Sequence, residues 1–432
     1  MATVILGGGI IGTSIAYFLS EQAQAAGKQH QIHIVDPSAE LFASASGYAA
    51  GFCAKDWFAP ELASLGLLSF ALQRKLADEN NGSEKWGYME STALGLQVEG
   101  KNGEKSGSGH DWLTRGASRA EVAVRKDGDD QDEGDLSPGW LTKQKGGSVE
   151  RISNRGSAAQ VDPLRLCQFL LSKCLERGVK VHYPARAISL NKTASGTDIV
   201  LQRLDTGVRS NISCTNLVLA AGVWTHQAFT TLFPNSQTRI PVTSLSGYSL
   251  VFRSPRHTLS HERSTYASKS HAIFTTHPKS VGFAPEIFSR AGAEIYIAGL
   301  NSPDIPPPAL PTDSRGMMEK EKCARVKKAA VILMGKPGEV ENEDDLEVVQ
   351  EGLCFRPWTE AGRPIVGRLE RRLMGEGAVP DGGVYVATGH GPWGIALSLG
   401  TGKVVAEMLA GVKTSADVSG LGFEGAAVKS KL

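Results

Sequence analysis

A chain of 432 residues, 41% apolar and 21% charged, is too long for one ordinary core and comfortable for two domains. Its 46 basic and 45 acidic side chains leave a formal net charge of +1, which gives no electrostatic reason to expect a nucleic acid or an anionic membrane as partner. No apolar stretch reaches the length of a membrane span. The cysteines Cys53, Cys167, Cys174, Cys214, Cys323 and Cys354 form no Cys-x-x-Cys pair, which argues against a zinc site, a disulfide framework and a dithiol reductase; no metal is expected.

Residues 3–6 read as a short buried strand, followed by Gly7-Gly8-Gly9-Ile10-Ile11-Gly12. A helix over 10–26 places Ile11, Ile15, Phe18 and Leu19 on one face, and a second strand over 32–35 ends at Asp36. Leucines at helical spacing predict a helix over 61–78. The stretch 99–150, rich in Gly, Ser, Lys and Asp, reads as a polar, flexible insertion, with Trp112 and Trp140 placed to pin its ends. Val161-Asp162-Pro163 opens a helix over 164–177, and 217–221 is another buried strand. Strand character over 240–253 and 293–300 belongs to a second sheet, 301–311 is a proline-rich turn, and 341–345 begins an acidic helix. A last buried strand over 384–387 runs through a glycine turn into a helix over 395–409.

The expected fold is therefore α/β: a Rossmann-like dinucleotide-binding domain from residues 1–80, 155–230 and 350–415, with a mixed or antiparallel sheet from 81–98 and 235–345 as substrate domain. Residues 416–432 form a tail. It ends in Ser430-Lys431-Leu432, a peroxisomal address that implies an import receptor as partner and the peroxisomal matrix as location.

Gly7, Gly9 and Gly12 stand at Gly-x-Gly-x-x-Gly spacing between a strand and a helix. The first permits the tight turn, the second lets a pyrophosphate approach the backbone, and the third lets helix and strand pack closely. Ile10 and Ile11 begin the helix whose N–H groups would face the phosphates. Asp36, 24 residues beyond Gly12, is placed to accept hydrogen bonds from a ribose. No second such fingerprint follows a strand, so electrons are expected from the substrate rather than from a nicotinamide.

Four blocks together resemble the D-amino-acid oxidase superfamily, which includes glycine oxidase, sarcosine oxidases and fungal amine oxidases. They are the fingerprint with Asp36; Ala45-Ser46-Gly47-Tyr48-Ala49-Ala50-Gly51-Phe52; the strand ending Ala221-Gly222-Val223-Trp224; and residues 356–367 with Gly389-His390-Gly391-Pro392-Trp393-Gly394. The likeness is to a fungal-type branch. It implies FAD, with Ser44, Ser46, Ala50, Gly51, Ala221, Gly222, Trp224, Gly389, His390, Gly391, Trp393 and Gly394 beside it. It also implies that Arg356 binds the substrate carboxylate, although Ala361 replaces a frequent family Asp. Cys354 aligns with the cysteine that holds flavin covalently in sarcosine oxidases; a non-covalent flavin with a structural thiol is the other reading. His390 either contacts the flavin or braces its loop. Tyr248 and Tyr296 either line the substrate pocket or belong to the sheet core.

The expected reaction is oxidation of the C–N bond of an amino acid or secondary amine, with hydride passing to flavin, imine release, and reoxidation by O2 to H2O2. A dehydrogenase using another acceptor, or a flavin-binding interaction or trafficking protein with little turnover, are the alternatives.

Overall fold

The computed structural model describes residues 1–97, 136–276 and 281–423. The centre of the polar insertion with Trp112, and the tripeptide Ser430-Lys431-Leu432, lie outside the described residues.

A six-stranded sheet runs in the order Ile365–Leu369, Gly383–Thr388, Asn216–Leu219, Ala2–Leu6, Gln31–Val35 and Lys180–His182. Neighbours are parallel except at the Ile365–Leu369 edge. Buried on both sides, its strands are near-continuous apolar runs, as parallel sheets require. The helix Ile10–Ala25 crosses Gly394–Ala410 where Gly402 lies so close to Ser14 that a Cβ would come within 2.6 Å of its backbone. The helix Pro163–Glu176 begins as its sequence foretold, with Asp162 accepting from the N–H of Arg165 at 3.0 Å and Pro163 in the first turn.

A second, nine-stranded sheet is antiparallel apart from the pairing of Met89–Gln97 with Ser270–Thr275. It also takes Phe52–Ala54, Ala158–Gln160 and Glu347–Trp358, so the chain passes repeatedly between the two sheets. An antiparallel meander of Ala185–Thr193, Gly196–Arg203 and Arg209–Ser213 forms a third, three-stranded sheet.

Two expectations need correction. Residues 341–345 are not helical: Lys336 and Glu343 form an isolated bridge, and Arg256 engages the carboxylate of Asp345, which hold this acidic run as a link into the strand Glu347–Trp358. The helix of this region is instead Lys320–Met334, which buries Cys323, Val326, Ala329, Ala330 and Leu333 against the second sheet. Residues 136–150 of the expected insertion are also built into the fold. Trp140 is fully buried, the N–H of Thr142 donates to the carbonyl of Leu333 at 2.8 Å, and Ser148–Arg151 pairs with Met89–Gln97. Trp140 and Leu141 anchor these residues by burying apolar area in the core beside the second sheet.

Among the described residues no helix is long and apolar enough to cross a membrane.

Candidate active site

The strand Ala2–Leu6 ends in a turn that only glycine can make. Gly7 has φ +110°, and a Cβ there would lie 2.4 Å from the carbonyl oxygen of Ala220. A Cβ on Gly12 would lie 2.0 Å from the carbonyl oxygen of Gly7, so Gly12 sets the approach of helix to strand. Gly9, by contrast, leaves the backbone open: a Cβ would meet only the hydroxyl of Ser46, at 3.0 Å. That hydroxyl accepts from the N–H of Ile10 at 2.9 Å. The helix Ile10–Ala25 has no side-chain cap and no acidic residue in its first turn. The same holds for Gly394–Ala410. Gly9, Ile10, Gly394 and Ile395 line one cleft, whose empty space with the open solvent at its mouth included is about 1320 Å³. Two helix N-termini thus direct positive dipole ends into one cavity.

Asp36 lines the cleft, is buried and accepts from the N–H groups of Gly8 (2.8 Å) and Ser38 (2.9 Å). Burial raises its pKa, and these hydrogen bonds oppose the rise. A carboxylate offers about four acceptor positions, so two donors leave room for ribose hydroxyls.

The small-residue loop that lines the cleft is clamped. Arg290, buried, donates through Nε and Nη2 to the carbonyl of Ala50 and stacks 4.4 Å from the ring centre of Tyr296. The Tyr296 hydroxyl donates to the carbonyl of Tyr48 at 3.0 Å. Gly51, at φ +90°, passes so close to Val161 that a Cβ would lie 1.9 Å from its carbonyl oxygen. Ser44, Ser46, Ala50 and Gly51 all line the cleft.

Ala221, Gly222 and Trp224 also line the cleft. Thr225 and Thr388 both donate to the carbonyl of Gly222, at 2.8 and 2.9 Å, which ties this block to the loop 389–394. Trp224 donates through Nε1 to the carbonyl of Pro308 at 2.8 Å. Cys354, Arg356, His390 and Gly391 line it as well.

A family model described as FAD dependent oxidoreductase matches residues 2–408. The chain belongs to this FAD-dependent oxidoreductase family. Among curated proteins, a candidate oxidoreductase of Schizosaccharomyces pombe is 26% identical over 438 residues, covering 98% of this chain and 97% of its own. The Saccharomyces cerevisiae candidate oxidoreductase TDA3 is 22% identical over 524 residues, covering 97% and 93%. Among solved structures, glycine oxidase from Geobacillus kaustophilus superposes with a TM-score of 0.67 at 20% identity, covering 98% of this chain and 97% of that one. Iminodiacetate oxidase from Chelativorans sp. BNC1 gives 0.65 at 19%, covering 97% and 98%. These structural likenesses carry the fold.

As an FAD-dependent oxidoreductase the chain must hold a dinucleotide, and its residues fit one. The glycine turn is a cradle that side chains would fill, both helix N-termini face the cleft, and the buried carboxylate of Asp36 lines it. Gly12, Gly389 and Trp393 stand behind the cleft rather than in it. Gly389, at φ +79°, turns the loop against Thr359, and Trp393 packs edge-to-face on Phe58 with ring centres 5.0 Å apart. Tyr248 points to the other side of its sheet, where its hydroxyl meets Glu319 at 3.4 Å beside the helix Lys320–Met334; Tyr296 lies at the cleft.

His390 is buried, with Nε2 3.1 Å from the hydroxyl of Thr401 and, among the described residues, no hydrogen-bond partner at Nδ1. Burial pushes its pKa down to about 3, so it stays neutral near pH 7. His33 and His257 are likewise held at about 4, chiefly by burial and then by the neighbouring His182 and His271. Unfolded, each takes up a proton below the ordinary 6.5, whereas the folded chain does not. Stability present above pH 6.5 is therefore lost as pH falls toward 4, by up to about 1.4 kcal/mol per pH unit for each histidine. Thermal melts between pH 7 and 5 should show a steadily falling Tm; a flat profile would contradict these buried neutral rings.

Arg356, half-buried on the strand Glu347–Trp358, donates through Nη1 to Oδ1 of Asn301 at 2.7 Å. Burial acts to discharge it, but the fields of Cys354, Tyr296 and Glu286 outweigh burial and hold the guanidinium charged. The guanidinium lies over Gly247, where a Cβ would come within 2.2 Å of Nη1. Gly247, Arg290, Asn301 and Glu286 were not singled out as site residues by sequence. Each depends on strand register, which no local motif encodes.

Proposed function

We propose that this FAD-dependent oxidoreductase oxidises the C–N bond of an amino acid or secondary amine, with O2 taking the electrons to give H2O2. The reading is carried by Arg356, a charged guanidinium that lines the cleft. A planar fork of donors suits a carboxylate and would fix the substrate's α-carbon in place. FAD, when bound, supplies the hydride acceptor. The loops 47–52 and 389–394 would position the ring, and the N-terminus of Gly394–Ala410 would stabilise negative charge on it. His390, neutral and hydrogen-bonded to Thr401, orders its loop rather than carrying a proton.

The division into an FAD domain (1–80, 155–230, 350–415) and a substrate domain (81–98, 235–345) is part of this proposal, supported by the six-stranded sheet, whose strands all fall in the first set, while Phe52–Ala54, Ala158–Gln160 and Glu347–Trp358 cross from that set into the second sheet. A fungal-type branch is supported by the two yeast relatives. The flavin is proposed to be non-covalent. Cys354 is a buried free thiol at the cleft, and acid precipitation of the holoenzyme should leave the yellow colour in the supernatant. For location we keep the peroxisomal matrix, on Ser430-Lys431-Leu432 alone; a tagged chain that stays in peroxisomes after loss of Leu432 would defeat it.

Anaerobic addition of D-amino, N-methyl and cyclic amino acids should bleach the flavin band with one compound class. Air should then restore it with one H2O2 per turnover. Bleaching without peroxide would assign the electrons to another acceptor, and a band that no amine bleaches would sink the proposed reaction.

A further inference from the structure

A positive charge is buried behind the cleft. Arg290 ends the strand Glu286–Arg290, is only 6% exposed and does not itself line the cavity. Its Nε and Nη2 donate to the carbonyl of Ala50 at 3.2 and 3.0 Å, and Nη2 donates also to the carbonyl of Ala49. Ala49, Ala50, Gly51 and Tyr296, on whose ring the guanidinium stacks, do line the cleft. The peptides of this loop are trans, so carbonyls turned towards Arg290 turn the N–H groups of Ala50 and Gly51 away from it. Holding the loop does not in itself require a cation. Gln160 already donates a neutral N–H to the same Ala50 carbonyl at 2.6 Å, and burying a guanidinium costs far more than burying an amide. Burial pulls the Arg290 pKa down, the fields of Tyr296, Asp162 and Glu294 oppose that, and a guanidinium stays protonated. Because Arg290 hydrogen-bonds to neutral carbonyls, its charge is not cancelled there and acts across the loop on whatever fills the cleft.

We propose that Arg290 is a positioning residue for the flavin: it holds the loop 49–51 against the cleft and sets behind that loop a positive charge that favours the reduced, negatively charged ring. The inference rests on the reading above that the loop 47–52 lies beside the ring, and adds the residue that tunes the ring from behind. A charge near the ring shifts its readiness to accept electrons without touching the substrate.

The test is the midpoint potential of the bound FAD, measured by anaerobic reduction against an indicator dye, beside the affinity of the apoprotein for FAD. In the unsubstituted protein the bound FAD should be easier to reduce than free FAD in the same buffer. A potential at or below that of free FAD overturns the inference, and that comparison needs no variant to fold. Arg290→Gln keeps an N–H donor for the loop and loses the charge. Its reduction equilibrium should fall about tenfold, which is about 30 mV for a two-electron couple. Gln160→Met removes a neutral donor from the same carbonyl and leaves the charge, so its equilibrium should stay within about twofold of the unsubstituted protein. Equal falls in the two variants would make Arg290 a clamp alone and overturn the inference, as would an Arg290→Gln protein with unchanged potential and unchanged affinity. Failure of the underlying reading looks different: Arg290→Gln then loses affinity for FAD at an unchanged potential, because the loop faces the phosphates rather than the ring.

Discussion

Gly12→Ala is expected to purify colourless and to melt below the unsubstituted protein. The added Cβ would lie 2.0 Å from the carbonyl oxygen of Gly7 and 3.2 Å from Cγ2 of Ile5. The first neighbour is backbone, in the very turn that must receive the pyrophosphate, so relief requires the helix Ile10–Ala25 to lift from its strand. Overpacking of this kind costs about 1–3 kcal/mol. The shift also moves the N–H groups of the helix start away from the cleft, which removes the directed donors a phosphate needs. Stability and cofactor retention should therefore fall together. Gly316→Ala is the control: it has ordinary backbone and nothing within 4 Å of the added atom. It should keep full colour. Flavin absorbance per protein, read beside a thermal melt, checks both variants. A Gly12→Ala protein with full flavin content would mean that the turn is not the phosphate cradle.

What could be read from the sequence follows from how local each feature is. The turn at Gly7, the cap at Asp162 and the buried strand 384–387 are dictated by neighbours within a few residues, and each stands where its sequence pointed. The helix Lys320–Met334 was also encoded locally, through Cys323, Val326, Ala329, Ala330 and Leu333 at helical spacing. Its interleaved lysines obscured that face, while the carboxylates of 341–345 drew the expected helix too far along the chain. Those carboxylates instead meet Lys336 and Arg256. Tyr248 shows a different limit. Alternation says that Gly247 and Tyr248 face opposite ways, but not which faces the cleft. That depends on the pairing of Thr243–Arg253 with Glu347–Trp358, where Gly247 lies opposite Cys354. Glu286 and Arg290 are hidden for the same reason: their places are set by register between strands distant in sequence from the glycine fingerprint.

That register leads to the second large effect. Arg356→Ala should raise the Michaelis constant for amino acids by about two orders of magnitude, since charge-assisted hydrogen bonds to a carboxylate contribute about 1.5–3 kcal/mol each. Amines without a carboxylate should be nearly unaffected, and an equal loss for both classes would remove the proposed role. Gly247→Ala should resemble it without touching the arginine. The new Cβ would stand 2.2 Å from Nη1 and 2.7 Å from Nη2 of Arg356, and 2.7 Å from Oδ1 of Asn301. All three are the ends of side chains, so the strand need not move and the melting temperature should hold. The guanidinium must leave its seat, however, and its hydrogen bond to Asn301 with it. Carboxylate substrates should again suffer selectively, less severely than in Arg356→Ala because the displaced charge remains in the cleft. Once the arginine is gone, Gly247→Ala has nothing to displace, so the double variant should behave like Arg356→Ala alone. Steady-state kinetics on the four proteins, with one amino acid and its decarboxylated amine, measures that coupling. Additive losses would show that Gly247 acts on something other than the seat of Arg356.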